Sequence, residues 1–247
     1  FLASGLNAGI KNQTKKDMAM VFSSTPCAAA GVFTTNLVKA APVKWDKEIV
    51  TTSPYVQAVV VNSGIANACT GAEGLGYCAD TAAEAAADKI KSGVTALSKV
   101  LGSSREDAKL AAEAIMTTDT KSKEIACTLE LDGKQVTVAG MCKGSGMIHP
   151  NMCTMLCFVT TDVAISHELL QKALSEDVVD TFNMISVDGD TSTNDTVLVM
   201  ANGQAENTQR KVKTTRLSVR PFILLCLSCQ KKLPETERAV HVCLRQL

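Results

Sequence analysis

The sequence predicts a layered domain of mixed helices and strands, in the α/β class with an α+β arrangement. The chain has 247 residues and is 46% hydrophobic, enough to bury a large core. Strand-like apolar runs and helix-like periodic segments both occur along it. They do not alternate regularly, which favours an α+β arrangement over a doubly wound parallel sheet.

The predicted elements can be placed in chain order. They are a buried strand at 58–61, an Ala- and Lys-rich helix over 79–100 with Gly93 as a weak point, a helix from Ser103 to Met116, two strands within 124–140, a strand at 156–160, a helix from Ser166 and a strand at 197–201.

Three short signals set the boundaries of these elements. Ser103 with Glu106 forms a capping box at a helix start. Asp132-Gly133 is a hairpin dipeptide between the two strands of 124–140. Ser166 is an N-cap residue ahead of a helix with an apolar face.

Charge and hydropathy exclude several classes of protein. The 25 basic and 25 acidic side chains leave a net charge of zero, without the basic excess that a nucleic-acid binder needs. The longest apolar run, 222–227, is too short for a membrane span. No signal peptide is visible, and the start at Phe1 indicates an N-terminally incomplete fragment.

The ten cysteines lie in apolar, helix- and strand-like segments, which favours reduced thiols in a cytoplasm over a secreted disulfide scaffold. Cys226 and Cys229 have metal-type spacing, but no second pair or nearby histidine completes four ligands. We therefore expect no metal site.

Two loops resemble ligand-binding motifs and fail on comparison. Residues 188–195 begin like a calcium loop, but Thr193 stands where glycine is needed and Val199 where glutamate is needed. A polar loop with Asx-type hydrogen bonds is the better interpretation. Residues 140–146 are glycine-rich around Lys143 but lack the P-loop order, and a glycine turn with a solvated lysine is favoured.

Histidine chemistry is not indicated, because His149, His167 and His241 form no metal spacing or catalytic couple. Thr154 has two open interpretations. It is either an ordinary strand residue or a nucleophile whose own α-amine, freed by cleavage of the preceding peptide bond, serves as its base.

Residues 140–156, GMCKGSGMIHPNMCTML, resemble the autoproteolytic region of the glutamate N-acetyltransferase / ornithine acetyltransferase family of arginine biosynthesis. Other segments that resemble this family follow one another in order at 4–9, 30–36, 61–71, 114–120 and 187–196. The resemblance covers about residues 2–206.

The resemblance implies self-cleavage between Cys153 and Thr154, giving an α-chain portion at 1–153 and the start of a β chain at 154–206. Thr154 would carry an acetyl group from N-acetylornithine to glutamate, with acetyl-CoA as a further donor in some members. Lys143 matches a substrate-contacting lysine. Thr117, or its neighbour Thr118, matches a substrate-contacting threonine.

The fold implied by the resemblance has stacked β-sheets flanked by helices, like that of N-terminal nucleophile hydrolases. The resemblance also implies association of cleaved α and β chains in a heterotetramer, a cytoplasmic location, and no metal or nucleotide cofactor.

The chain departs from the family pattern in two places. After about residue 87 it lacks the segment whose Thr-Gly pair forms the oxyanion hole. Residues 207–247 form a divergent tail, with the part from 208 holding nine Lys/Arg against two Asp/Glu. Two alternatives to an active enzyme therefore stay open: an inactive truncated or frameshifted fragment, and a related aminopeptidase.

Overall fold

The computed structural model describes residues 1–12, 14–82, 88–145, 155–179, 181–184 and 189–208. Its helices and strands are, in chain order, β1 (Leu2–Leu6), β2 (Met18–Phe33), α1 (Ala41–Thr52), β3 (Val56–Asn62), α2 (Glu73–Ala82), α3 (Asp88–Val100), α4 (Arg105–Ala114), β4 (Lys123–Leu131), β5 (Lys134–Lys143), β6 (Leu156–Thr161), α5 (His167–Val179), a 3-10 turn (Phe182–Met184) and β7 (Thr196–Ala201). None of the described helices is long and apolar enough to cross a membrane.

The seven strands form one curled sheet in the order β1-β2-β7-β6-β5-β4, with β3 beside β2. The 16-residue strand β2 joins its two parts, because its first half pairs with β1 and β3 and its second half with β7. Its pairing with β3 shifts register between Phe22 and Cys27, a kind of irregularity that bends a strand. The α/β class is confirmed, and within the described residues the sheet is continuous through β2.

Helices cover both faces of this sheet, so its central strands are apolar on both sides. Val197 and Val199 of β7 pack with Leu170 and Leu174 of α5. On the opposite face, Leu198 is buried in another apolar cluster, together with Ala111 of α4 and Ile115, the C-cap of α4. All six residues of β7 are buried, which is the pattern of a strand covered by helices on both faces.

Strands β6 and β7 are parallel, whereas the other pairs are antiparallel. A parallel pair needs a crossover, and α5 supplies it. Both strands therefore begin at the same edge of the sheet, where Leu156 pairs with Thr196. The antiparallel β5 ends at this edge too, with Lys143 opposite Leu156.

Most of the predicted elements are confirmed. The strands at 58–61, 156–160 and 197–201 lie within β3, β6 and β7. Asp132 and Gly133 both have positive φ, 54° and 71°, as the type I′ turn of a two-residue hairpin requires. Ser166 Oγ accepts from Leu169 N at 3.3 Å at the start of α5.

The predicted capping box is wrong by one residue. Ser104, not Ser103, caps α4, and its partner is Asp107, not Glu106. The cause lies just before the helix, where Gly102 exchanges two backbone hydrogen bonds with Ala3, at 2.8 and 3.1 Å. This bridge holds the chain through Gly102 and leaves Ser104 at the Ncap position.

The helix predicted over 79–100 is described as parts of two helices, α2 and α3, because residues 83–87 lie outside the described residues. Gly93 is not a weak point of α3. A Cβ at this buried position would lie 2.3 Å from Met18 Sδ, so glycine permits close contact between α3 and β2. Elements β1, β2 and α1 were absent from the prediction.

Gly5 sets the distance between β1 and α4. A Cβ there would lie 2.1 Å from Leu110 O and 2.8 Å from Ala114 Cβ. We expect Gly5→Ala to lower the free energy of unfolding by about 1–3 kcal/mol, because backbone has to move. Gly76→Ala is the matched control, since its Cβ meets nothing within 4 Å in α2, and it should stabilise by about 0.5–1 kcal/mol. Urea denaturation measures both, and a neutral Gly5→Ala would contradict this packing.

Candidate active site

The predicted site residues that the structure describes meet at the sheet edge where β5 ends and β6 and β7 begin. Lys143 is the last residue of β5, and Thr117 and Thr118 lie in the loop after α4. The loop and the strand end are joined by a 2.5 Å hydrogen bond between Thr118 Oγ1 and Ser145 Oγ. Cys153 and Thr154 lie outside the described residues, which resume at Met155.

Met155 is held on both sides of its backbone. Its N–H donates to Asp195 Oδ1 at 3.0 Å, and its carbonyl accepts from Thr196 N at 3.0 Å. Asp195 is anchored in turn, because its own carbonyl accepts from Thr34 N at 2.9 Å. The residue after Thr154 therefore has a fixed position, a consequence of parallel strands that start side by side.

Asp195 is a buried carboxyl group, 1% exposed. Burial raises its pKa to about 7, while the Met155 N–H, the charge of Lys143 and bonds from Ser192 act in the opposite direction. Its Oδ2 atom has no hydrogen-bond partner within the described part of the chain. The Asp195 carboxyl group therefore changes charge near neutral pH. It contacts the backbone of Met155, the residue before the start of β6.

Lys143 is partly buried at the same edge. Burial has the largest effect and holds the pKa of Lys143 below its ordinary value. The charges of Asp119 and Asp195 act to raise this pKa, and the charge of Lys123 acts to lower it. The expected glycine turn with a solvated lysine is wrong, because Gly140 and Lys143 are strand residues paired with Val159 and Leu156 of β6. Strand pairing buries the lysine stem and aims the amine at this edge.

A buried ion pair lies beneath the loop. Lys123, the first residue of β4, pairs with Asp119, and the two side chains are 2% and 1% exposed. Burial alone would raise the pKa of Asp119, but hydrogen bonds from Lys123, the Gly144 N–H and the Thr117 N–H outweigh it and keep that pKa below its ordinary value. Asp119 is therefore an anion inside the protein.

The amine of Lys11, which lies between β1 and β2, also contacts the loop that carries Thr117. Lys11 Nζ donates to the carbonyl of Met116, the residue before Thr117, and to that of Lys16 at 3.2 Å. Burial lowers its pKa, Asp17 raises it, and Lys15 and Lys143 lower it. The edge thus carries Lys11 and Lys143 as amines and Asp119 and Asp195 as carboxyl groups.

Sequence reasoning missed Asp119, Lys123, Lys11 and Asp195 as site residues. Asp195 had been weighed only as part of a calcium loop. The stretch 189–195 is a polar loop, as predicted, but the turn bond within it, from Asn194 N to Ser192 Oγ at 3.1 Å, is of the serine type and not the predicted Asx type. The signal that could have found Asp195 is an acidic residue just before the apolar run 197–201, where its carboxyl group is buried with the strand.

His167 is the one histidine within the described residues, and its contact stabilises the fold. Its Nδ1 lies 2.7 Å from the Ala29 carbonyl, which ties the start of α5 to β2. His149 and His241 lie outside the described residues. Among the described residues, no group of His, Cys, Asp or Glu is arranged to hold a metal ion, and the six described cysteines form no disulfide bond.

A cavity of about 690 Å³ lies elsewhere in the fold, between α1, α2, α3 and the sheet at β2 and β3. It shares no lining residue with the edge that holds Lys143 and Asp195. Asp46 is the one charged residue among the described residues that line it, and burial raises the pKa of this carboxyl group to about 7. Burial, and then the charge of Asp46, raises the pKa of Cys78 to about 11.

Comparison with protein families gives a match to the ArgJ family over residues 2–90 and 84–222. The chain is 50% identical over 232 residues to the arginine biosynthesis bifunctional protein ArgJ of Symbiobacterium thermophilum and 46% identical over 231 residues to that of Thermotoga neapolitana. Each match covers 84% of this chain and 57% of the relative. The chain therefore spans little more than half the length of these curated relatives.

Solved structures agree with this match. The arginine biosynthesis bifunctional protein of Bacillus halodurans has a TM-score of 0.57 at 36% identity, covering 63% of this chain and 90% of that chain. The ornithine acetyltransferase of Mycobacterium tuberculosis, complexed with ornithine, has a TM-score of 0.51 at 31% identity, covering 63% and 92%. The L-aminopeptidase D-Ala-esterase/amidase of Ochrobactrum anthropi, an Ntn-hydrolase fold variant, has a TM-score of 0.53 at 9% identity, covering 94% and 84%, which shows a likeness of fold alone.

The raised pKa of Asp195 gives a pH dependence of stability. Because the folded-state pKa, about 7, lies above the ordinary value of 3.8, the folded protein binds the extra proton between these limits, so stability is lost as the pH rises through this window. Asp195→Asn keeps an acceptor for Met155 N and removes the titration. We expect the wild type to lose up to about 1.4 kcal/mol per pH unit relative to the variant between pH 5 and 7.

Thermal and urea denaturation of both proteins from pH 5 to 8 measure this difference. The titration of Asp46 is common to both proteins and cancels. Parallel stability curves for the wild type and Asp195→Asn would show that Asp195 does not titrate near neutral pH.

Proposed function

The chain belongs to the ArgJ family, and we propose that its residues carry acetyl transfer from N-acetylornithine to glutamate in arginine biosynthesis. The observation that carries this proposal is the fixed start of β6. Met155, directly after Thr154, is bonded to Asp195 and Thr196, and Lys143 lies opposite Leu156 in the next strand. A nucleophile needs a fixed position beside groups that bind the substrate.

In this proposal Thr154 is first freed by self-cleavage. Its hydroxyl attacks the carbonyl carbon of Cys153, and the peptide C–N bond breaks as the ester forms, so that the nitrogen takes up the hydroxyl proton and becomes the free α-amine of Thr154. Water then hydrolyses the ester, which releases the carboxylate of Cys153 and restores the Thr154 hydroxyl. This amine titrates near neutrality and serves as the base for the hydroxyl. Fragments 1–153 and 154–206 with its tail are then the α and β chains.

The acetyl group is transferred in two steps. The Thr154 hydroxyl attacks the acetyl carbonyl of N-acetylornithine, ornithine leaves, and the acetyl ester remains on Thr154. The amine of glutamate then attacks this ester, and N-acetylglutamate leaves with Thr154 restored. Acetyl-CoA is proposed only as an additional donor.

Lys143 and Thr117 are proposed to bind the substrate. The Lys143 side chain lies at the edge, and its amine makes no hydrogen bond to the described residues. A substrate carboxylate is a natural partner for this amine. Thr118 Oγ1 is bonded to Ser145. The Thr117 hydroxyl makes no hydrogen bond to the described residues, which favours Thr117 over Thr118 as the substrate contact.

A second proposal concerns the rate of this particular chain. We propose that a segment with the oxyanion hole is missing after about residue 87. Two observations support it: the family match consists of two pieces that meet at 84–90, and the 690 Å³ cavity lies between α2 and α3, on either side of that point. The chain would then keep its nucleophile and lose part of the stabilisation of the transition state.

The tail is proposed to differ from the family over residues 207–247. Its charge balance is opposite to that of the remaining chain. The family match includes residues up to 222, so it leaves only residues 223–247 of this tail unmatched. An inactive truncated or frameshifted fragment is the alternative that this tail and the missing segment favour together.

An aminopeptidase that uses the same nucleophile is a more distant alternative. The similarity to the Ochrobactrum protein supports a common fold only. Release of an N-terminal amino acid from a peptide, in place of acetyl transfer, would identify it. Further proposals are association of the cleaved chains as a heterotetramer, a cytoplasmic location, and chemistry without a metal or nucleotide cofactor.

Acetyl transfer tests the main proposal directly. With N-acetylornithine and glutamate, we expect N-acetylglutamate from the wild type and none from Thr154→Ala, because the acetyl acceptor is removed. Thr128→Ala, an exposed position in β4, is the matched control and should equal the wild type. Equal rates for Thr154→Ala and the wild type would refute Thr154 as the nucleophile.

The same assay tests the missing segment. Beside the Symbiobacterium relative, we expect this chain to be slower by at least about 10²–10³, the effect of losing one oxyanion donor. Equal rates would mean that the chain has a complete oxyanion hole.

A further inference from the structure

The ion pair between Asp119 and Lys123 is buried more deeply than its role in the fold explains. The side chains are 1% and 2% exposed, and Lys123 is among the largest fully buried side chains of the described core. Removing two charges from water is unfavourable unless each gains further hydrogen bonds. The partners of those bonds therefore indicate what the pair does.

Those bonds go to the two segments that carry the candidate substrate contacts. Asp119 Oδ1 accepts from Gly144 N at 2.9 Å, and Lys123 Nζ donates to Gly144 O at 3.0 Å. The pair thus holds both polar groups of the residue after Lys143. Asp119 Oδ2 also accepts from Thr117 N, at 3.4 Å.

Gly144 and Thr117 need such partners because regular structure has ended beside them. The β5–β6 ladder ends at the pair Lys143 and Leu156, so Gly144 has no strand partner for its N–H and carbonyl. Helix α4 ends at Ala114 with its cap at Ile115. The ion pair fixes the backbone at the points where the β-ladder and the helix no longer do so.

We propose that Asp119 and Lys123 are positioning residues, which hold Lys143 and Thr117 in one arrangement at the candidate active site. The substrate part of this inference rests on the proposed function. The hydrogen bonds of Asp119 and Lys123 to Gly144 and Thr117 do not depend on the proposed function.

The first test measures Lys143 without any substrate. Acetic anhydride labels amines in their neutral form, so the labelling of Lys143 against pH, read by peptide mass spectrometry, gives its apparent pKa. The exposed Lys47 is the internal reference. Charged groups that act on Lys143 are Asp119 and Asp195, which raise its pKa, and Lys123, which lowers it. Lys11, whose charge interacts with that of Lys143, also faces it.

Asp119→Asn separates positioning from general loosening. If the loop keeps its arrangement, loss of the Asp119 charge leaves Asp195 to raise the pKa of Lys143 against burial and Lys123, which lower it. The apparent pKa of Lys143 then falls below that of the wild type. If the loop merely opens to water, the pKa rises towards its ordinary value of 10.5. Asp119→Glu keeps the charge, and it should restore the wild-type pKa.

Glu113→Gln is the matched control. It removes the acid of another ion pair, that of Lys16 with Glu113 at 2.8 Å on α4, which does not touch Gly144. We expect no change in the labelling of Lys143. An equal change in Glu113→Gln and Asp119→Asn would overturn the specific role of Asp119.

The second test uses ornithine binding, measured by calorimetry. We expect Asp119→Asn and Lys123→Met each to weaken binding by at least about tenfold, and Glu113→Gln to leave it unchanged. Thermal denaturation shows which variants fold, and Lys123→Met serves where Asp119→Asn does not fold. Asp119→Glu keeps the charge and should retain the wild-type affinity. Unchanged ornithine affinity in folded Asp119 and Lys123 variants would overturn the proposal.

The two tests fail in different ways. If the wild type binds no ornithine but Lys143 responds as expected to Asp119→Asn, the positioning role stands and the proposed substrate is wrong. If ornithine binds to the wild type and the pKa of Lys143 rises in Asp119→Asn, the positioning role is wrong and the proposed substrate stands.

Discussion

The buried contact of Asp119 and Lys123 with Gly144 is the constraint on which the candidate active site depends. It joins the end of β5, the loop after α4 and the start of β4 through two charged side chains. Hydrogen bonds to charged groups in a poorly solvated interior are strong, and an unpaired charge there is unfavourable. These bonds therefore favour the arrangement in which Lys143 and the Thr117 loop lie side by side.

The topology of the sheet explains why this constraint occurs at this edge. Parallel strands β6 and β7 begin together, antiparallel β5 and β2 end there, and the chain segments beside them converge. Asp195 bonds Met155 because it precedes β7 as Met155 precedes β6. The pairing of strands thus brings Lys143, Met155 and Asp195 together from positions far apart in sequence, and the bond from Thr34 adds the end of β2.

The sequence predicts those parts of the fold that depend on local signals. The Asp132-Gly133 hairpin, the Ser166 cap and the apolar strand β7 each follow from a few adjacent residues. Strand β2 was missed because its 16 residues pair with three different strands, and its pattern therefore follows no single period. The cap at Ser104 was misplaced because a long-range bridge between Gly102 and Ala3 decides it.

The candidate site was predicted only in part, again because the sequence shows local signals and does not show long-range contacts. Lys143 and the Thr117 loop were identified by resemblance, and the structure brings their segments together through Thr118 and Ser145. Asp119, Lys123 and Asp195 act through contacts with backbone groups distant in sequence, which no local pattern shows. The roles of Cys153 and Thr154 stay predictions, since both lie outside the described residues.

The claim that joins these observations is that the fixed start of β6 presents Thr154 as a nucleophile. The intact mass of the purified chain tests it most directly, with the wild type beside Thr154→Ala, because self-cleavage needs no substrate. If Thr154 is the nucleophile, the wild type gives fragments 1–153 and 154–247 and the variant gives one uncleaved species. A single uncleaved species from both proteins would contradict it.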